Sequence, residues 1–198
     1  LQKLNIRGIA VSSDDDRILD IVRPYKNVVT LEKRNSDLAD DLTGFNKLVS
    51  YDLPRYIDYF SSSDILFATP TSALVPKEYY LKGIELFRSN SKSLIMAVTP
   101  YQASPMLTLT GNLTEEIVPL FPEMYSKPTK DLEKGYFDSG AFYIFNKEEF
   151  SKTEELLDLK PVKGVELPYN VGIDLDTMED WDMLKHHYFS RTNVELRS

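Results

Sequence analysis

At 198 residues the chain suits one domain that buries about 70% of its unfolded surface, and its 42% apolar and 27% charged content is that of an ordinary globular protein, not a disordered one. The formal net charge of −8 argues against a protein that grips nucleic acid by its phosphates, which takes a basic stripe, but leaves a free nucleotide open. Cysteine is absent, which removes disulfides, thiolate catalysis and cysteine metal sites, and no apolar run approaches the ~20 residues of a membrane helix, so a cytoplasmic protein with no membrane partner is the expectation.

Gly8-Ile9-Ala10-Val11-Ser12 predicts a short buried strand closed by polar residues. Ser13 and Asp14-Asp15-Asp16 stand where a helix N-cap and first turn belong. Ile18, Leu19, Ile21 and Val22 supply the apolar face of that helix, and Pro24 lies just past its end. Val28-Val29-Thr30 is a second short strand. From Asn46 to Phe60, Leu48, Val49, Leu53, Tyr56, Ile57 and Phe60 recur at helical spacing, with Pro54 set to kink or restart the helix. Asp64 to Ala68 is the next buried strand, a helix opens at Pro76 and runs to about Phe87, and Ser93 to Thr99 is another strand. This alternation predicts right-handed crossovers and an α/β fold: an open, mostly parallel sheet with helices on both faces.

Residues 100–136, rich in proline and turn formers, break the rhythm, with Met106-Leu107-Thr108-Leu109 as the one strand-like run. The segment reads as an excursion from the sheet, either a protruding hairpin arm suited to a dimer contact or a solvated loop. Regular structure resumes with Ala141-Phe142-Tyr143-Ile144-Phe145, a helix near Lys147 to Leu156, a strand around Val162 to Leu167 and a last helix from about Thr177 to Tyr188. No internal repeat appears, so a single domain over residues 1–198 is expected. Leu1-Gln2-Lys3-Leu4 looks like the tail of a helix feeding the strand at Gly8, and no glycine-rich phosphate loop occurs. The strand-loop-helix that opens such folds is therefore expected to be missing.

The sharpest chemical feature is Gly172-Ile173-Asp174-Leu175-Asp176-Thr177. Residues two apart in an extended segment face one side, so Asp174 and Asp176 present two hard carboxylates together, a pair suited to Mg²⁺ that leaves positions for water and substrate phosphates. Asp176 and Glu179 also have the spacing of a capping box before the final helix; the readings can coexist, with Asp176 on the metal and Thr177 capping. Thr69-Pro70-Thr71-Ser72 follows a buried strand at the end where open α/β sheets bind ligands, and its hydroxyls either touch a sugar or build the turn. In Asp138-Ser139-Gly140 the glycine allows a close backbone approach or a sharp strand entry. Lys127 and Lys130 are candidate anion contacts or plain surface lysines. His186 and His187, adjacent on a helix, lack metal spacing.

Taken in order, these segments resemble the CMP-sugar synthetases, the acylneuraminate cytidylyltransferase group, and within it the pseudaminic acid cytidylyltransferase branch. The likeness rests on Val11-Ser12-Ser13-Asp14-Asp15; on Arg34 with Leu38-Ala39-Asp40-Asp41-Leu42-Thr43-Gly44; on Thr69-Pro70-Thr71-Ser72; and on Val98-Thr99-Pro100-Tyr101 with Pro105 and Phe121-Pro122-Glu123. It continues through Asp131-Leu132-Glu133, Tyr136 and Asp138-Ser139-Gly140-Ala141-Phe142-Tyr143 to Asp174-Leu175-Asp176-Thr177 with Glu179-Asp180-Trp181. The resemblance implies a nucleotide-diphospho-sugar transferase-like fold and transfer of CMP from CTP to the anomeric hydroxyl of a nine-carbon keto-sugar acid (pseudaminic or a related nonulosonic acid), with release of pyrophosphate. It implies Mg²⁺ on Asp174 and Asp176, nucleotide contacts from Arg34 and Thr43, and sugar contacts from Thr69, Thr71, Lys130, Asp138 and Tyr143. It implies a homodimer built through the arm. The family's N-terminal glycine-, arginine- and lysine-containing CTP loop has no counterpart here, Pro128 and Lys130 stand where the branch tends to have Arg and Gln, and Phe137 and Ala141 replace its His and Gln. No residue stands out as the base for the sugar hydroxyl. Two other readings compete: a non-catalytic relative that keeps the fold as a binding or scaffold dimer, and a metal-dependent glycosyltransferase, whose acidic pair would be expected nearer mid-chain.

Overall fold

The structure, a computed structural model, describes residues 4, 6–25, 28–30, 33–39, 44–51, 53–172 and 175–192. β1 (Ile9–Val11) leads into α1 (Asp16–Val22) and returns as β2 (Val28–Thr30), which pairs with β1 in parallel, Ile9 opposite Val28. Asp15, not Ser13, is the N-cap of α1: its carboxylate accepts from the Arg17 N–H at 2.8 Å, while the buried Ser13 hydroxyl accepts from the Asp15 N–H at 3.1 Å, one step upstream. Of the two outcomes offered for Pro54, a kink or a restart, the structure shows two helices, α2 (Phe45–Tyr51) and α3 (Leu53–Phe60). Pro54 sits in the first turn of α3, where a missing N–H breaks no helical hydrogen bond, so the proline restarts the helix.

β3 (Asp64–Ala68), a 3-10 turn (Pro70–Leu74), α4 (Lys77–Arg88) and β4 (Leu94–Pro100) follow as predicted. The excursion begins differently: Pro105–Leu107 is a 3-10 turn, and the strands are β5 (Leu109–Asn112) and β6 (Glu116–Pro119), an antiparallel hairpin with Leu109 opposite Pro119 and Asn112 opposite Glu116. β7 (Tyr136–Asn146) begins five residues before the run that announced it. α5 (Lys147–Phe150) is one turn long, because the Ser151 and Thr153 hydroxyls donate back to the carbonyls of Glu148 (2.9 Å) and Phe150 (2.8 Å), a local alternative to continued helix. β8 (Val162–Glu166) and α6 (Met178–Thr192) complete the chain, α6 running four residues past its predicted end. Among the described residues no helix is long and apolar enough to cross a membrane.

The four-stranded sheet is open, in the order β3-β7-β4-β8. Flanking hydrogen bonds give its directions. Lys147 N–H donates to Ser63 at 2.8 Å and Thr69 N–H to Ala141 at 3.2 Å, so β7 is antiparallel to β3. Leu94 N–H donates to Pro161 at 3.2 Å and Leu167 N–H to Val98 at 2.8 Å, so β8 is parallel to β4. The open α/β sheet of the sequence reading is thus a mixed one. β7 is reached from β4 through the hairpin segment and not through a helix, the route that frees a strand from the parallel rule.

Contacts gather the chain into two compact units. One comprises Leu1–Leu66, Tyr80–Leu94 and Ile144–Val162, and its core includes Val49, Phe87, Phe145 and Phe150, the last two rings tilted with centroids 5.7 Å apart. The other comprises Phe67–Tyr79, Ile95–Tyr143 and Lys163–Ser198, with Ile95, Ala97, Phe142 and Leu167 buried. In the second unit Leu184 of α6 packs with Leu74 and Leu175, which seats the start of α6 on the turn after β3. Full burial of a side chain such as Phe142 stabilises by about 1.5–3 kcal/mol, enough to hold the polar residues beside it in β7 to one register.

Candidate functional site

Gly140 lies inside β7 with φ +65°, a conformation open to glycine and strained for other residues. Around it the chain gathers polar side chains. Ser139, 1% exposed, donates from Oγ to the Ala97 carbonyl at 3.0 Å and pins the strand on one side. Asp138 braces the other: Oδ1 accepts from the Gly140 N–H at 2.9 Å and Oδ2 from the Tyr143 hydroxyl at 2.7 Å. Thr69, just past β3, donates from Oγ1 to the Gly140 carbonyl at 2.8 Å. Three of the predicted sugar contacts, Thr69, Asp138 and Tyr143, therefore surround one glycine.

The Thr69 hydroxyl does not cap the following turn; Ser72 stitches it instead, donating to the Thr69 carbonyl at 2.6 Å. Thr71 lies within the same turn. Lys130 is exposed in a separate 3-10 turn, Thr129–Asp131, and no hydrogen bond or ion pair among the described residues ties it to this cluster. Each Asp138 oxygen spends one lone pair on its partner and keeps another, so the exposed carboxylate can still accept from ligand hydroxyls.

The start of α6 settles the capping question. The box is not the Asp176–Glu179 pair but lies one residue on: the Thr177 Oγ1 accepts from the Asp180 N–H at 3.2 Å, and Asp180 Oδ2 accepts from the Thr177 N–H at 2.8 Å and its hydroxyl at 2.7 Å. Oδ2 also accepts from the Asp176 N–H at 3.2 Å. These donors, the Thr177 hydroxyl first, hold the Asp180 carboxyl below the usual carboxylate range. With Thr177 and Asp180 capping, the exposed Asp176 carboxylate makes no hydrogen bond or ion pair among the described residues, and a hard oxygen donor of that kind fits a divalent cation. Asp174 lies outside the described residues, as does Thr43, and the described residues hold no cluster of three or more potential metal ligands. Sequence reasoning passed over Asp180 as a capping partner, although the Thr-x-x-Asp spacing was available.

Arg34 extends the β1–β2 side of the fold, its N–H donating to the Ser13 carbonyl at 3.0 Å. Its guanidinium reaches Asp14 through a long 3.4 Å contact, and its Nε is buried with no acceptor among the described residues. A buried guanidinium N–H without a partner is costly, and it is a donor that an anionic ligand can satisfy. Beside it Lys33 pairs with Asp16 at 2.7 Å, and the Arg17 guanidinium bound to Asp15 pulls that carboxyl down to about 2. The acidic run is thus largely occupied by neighbouring cations.

A solved structure of a CMP:2-keto-3-deoxy-manno-octonic acid synthetase complexed with CTP superposes with a TM-score of 0.63, covering 98% of this chain and 85% of that one at 12% identity, a likeness of fold. No family model matches the chain. Over 186 residues, 91% of this chain and 77% of the relative, it is 26% identical to the pseudaminic acid cytidylyltransferase of Campylobacter jejuni subsp. jejuni serotype O:23/36. It is 25% identical over the same extent to the protein of that name from serotype O:2. This sequence likeness supports the CMP-sugar synthetase family.

Proposed function

We propose that the chain is a nucleotidyltransferase that transfers CMP from CTP to a sugar acid and releases pyrophosphate, and that the acceptor is pseudaminic acid or a related nonulosonic acid. The reading is carried by the sequence likeness to pseudaminic acid cytidylyltransferases across 91% of the chain. In the reaction the anomeric hydroxyl of the sugar attacks the α-phosphorus of CTP. A new oxygen–phosphorus bond forms, the bond to the β-phosphate oxygen breaks, and the hydroxyl proton passes to a base or to solvent.

In this reading Arg34 and Thr43 contact the nucleotide, and the Nε of Arg34, which has no acceptor among the described residues, is the donor that takes a phosphate oxygen. Asp174 and Asp176 hold Mg²⁺, which when bound neutralises charge on the phosphate oxygens and the departing pyrophosphate. The Asp138 carboxylate accepts from sugar hydroxyls while its bonds to Gly140 and Tyr143 fix its orientation. Thr69 and Thr71 shape the turn on which the sugar lies, and Lys130 supplies a cation for the sugar carboxylate.

The β5–β6 hairpin supports a homodimer. Leu109, Ile117 and Leu120 are about half exposed, and Leu113 at the turn is 90% exposed. An isolated two-stranded hairpin is marginal in water, and a second copy would cover these residues.

The test is pyrophosphate release from CTP and Mg²⁺, with pseudaminic, legionaminic and N-acetylneuraminic acids offered separately. Release with one sugar, lost in Asp176→Asn and Asp174→Asn, is the expected result. Silence with all three from a protein that still binds CTP would favour a non-catalytic relative.

A further inference from the structure

We infer that Asp180 is a positioning residue that aims the Asp176 carboxylate at a divalent cation; the inference rests on the metal reading proposed above. One oxygen, Asp180 Oδ2, gathers three donors: the Thr177 hydroxyl at 2.7 Å, the Thr177 N–H at 2.8 Å and the Asp176 N–H at 3.2 Å. A capping box needs only the Thr177 contacts. The bond to the Asp176 N–H is additional, and it fixes the backbone of a residue whose own carboxylate makes no bond among the described residues. Asp176 is braced on both sides, since the preceding Leu175 packs with Leu74 and Leu184 and the following Thr177 is locked to Asp180. The exposed side chain thus leaves a backbone held on both sides, which limits the directions its carboxylate can take.

The alternative is that Asp180 only starts α6, and direct metal binding separates the two. Free Mn²⁺ is measured by electron paramagnetic resonance with protein alone, without CTP or sugar, so that neither turnover nor chelation by the nucleotide enters the reading. Loss of a partner bonded to the ligating group typically weakens metal binding 10–100-fold; Asp180 acts through the Asp176 backbone, so Asp180→Ala is expected at the low end, roughly ten-fold. Glu179→Ala removes the same charge from the same turn and is expected to change it by less than about two-fold. Asp176→Asn is expected to abolish it. Should Asp176→Asn, or the unaltered protein, show that Asp176 holds no Mn²⁺, the metal reading falls and this inference with it. Should Asp176→Asn abolish binding while Asp180→Ala binds normally, or Glu179→Ala weaken it equally, the metal reading stands and the positioning role is overturned. A circular-dichroism melt of each variant, with binding measured well below the transition, keeps loss of helix apart from loss of aim.

Discussion

Gly172 packs its Cα against the hydroxyl of Thr99, so closely that a Cβ at position 172 would collide with Thr99 Oγ1 and press on the Cβ atoms of Ser139 (3.3 Å) and Leu167 (3.4 Å). Thr99 is fully buried and its hydroxyl has no partner among the described residues, so it has nowhere to retreat. The glycine that opens the Gly-Ile-Asp-Leu-Asp-Thr segment is therefore required by packing at the end of β4. Gly172→Ala is expected to destabilise by roughly 1–3 kcal/mol, the usual cost of overpacking, as read from urea unfolding. Thr99→Ala in the same chain should recover part of that loss, so that the two single effects fail to add. Strict additivity would mean that the two residues do not meet.

Tyr143 and Asp138 are five residues apart on one strand and joined by the 2.7 Å hydroxyl–carboxylate bond. Tyr143→Phe keeps the ring packed near Phe67 and removes that bond, so its stability cost should be about 1 kcal/mol. Its larger expected effect is functional, a several-fold rise in KM for the sugar acid with kcat for CTP cleavage little altered, because Asp138 loses one of the two donors that orient it. An unchanged sugar KM would remove Asp138 from the sugar site.

Much of the fold was legible because burial and periodicity agree. Val28–Thr30, Asp64–Ala68 and the helix after Pro76 fall where apolar spacing and proline punctuation put them. The failures have separate causes. β6 is four residues, Glu116-Ile117-Val118-Pro119, too short and too exposed to leave a period, and its pairing is visible only through the hairpin register. The direction of β7 is a long-range property that its buried apolar run does not encode. At the candidate site, the carboxylate spacing pointed to Asp176 and the resemblance to Asp138, but the one-residue shift of the capping box to Thr177 and Asp180 depends on where the helix starts, the boundary that local pattern fixes least well.

Asp15 makes a pH-dependent cap. The side-chain bond to Arg17 is the largest cause of its lowered pKa, with the Arg17 N–H next, and together they bring it from 3.8 to about 2. A depressed carboxylate contributes stability above its unfolded value and loses it as pH falls through the folded one. The Asp15 contribution to α1 should thus be whole above about pH 4 and fade between there and about pH 2. Carboxyl-carbon NMR titration should give a midpoint near 2, raised towards the ordinary value in Arg17→Ala. A normal midpoint in the unaltered protein would show that the Arg17 pairing does not persist in solution.

Arg34 separates a binding role from a structural one. Its contact with Asp14 is long, its Nε has no acceptor among the described residues, and its backbone N–H, which bonds to Ser13, survives any side-chain change. Arg34→Met keeps the apolar stem and removes the buried donor, so stability should not fall and should rise by up to about 1 kcal/mol. If the guanidinium meets a CTP phosphate, Kd for CTP by calorimetry should rise at least ten-fold, in line with loss of a charge-assisted bond worth about 1.5–3 kcal/mol. Unaltered CTP affinity would take Arg34 out of the nucleotide site.

The hairpin makes the last prediction. In its register Gly111 faces Ile117 and Leu109 faces Pro119, which puts Leu109 and Ile117 diagonally on one face, both about half exposed. Val118, opposite Thr110, lies on the other face and is about equally exposed. A ribbon with apolar side chains on both faces has no inside of its own, so burial has to come from elsewhere. If a second copy supplies it, Leu109→Lys with Ile117→Lys places like charges where the two copies would meet, and sedimentation velocity should show a dimer become a monomer with far-UV circular dichroism unchanged. A protein already monomeric at tens of micromolar would show instead that these residues face water.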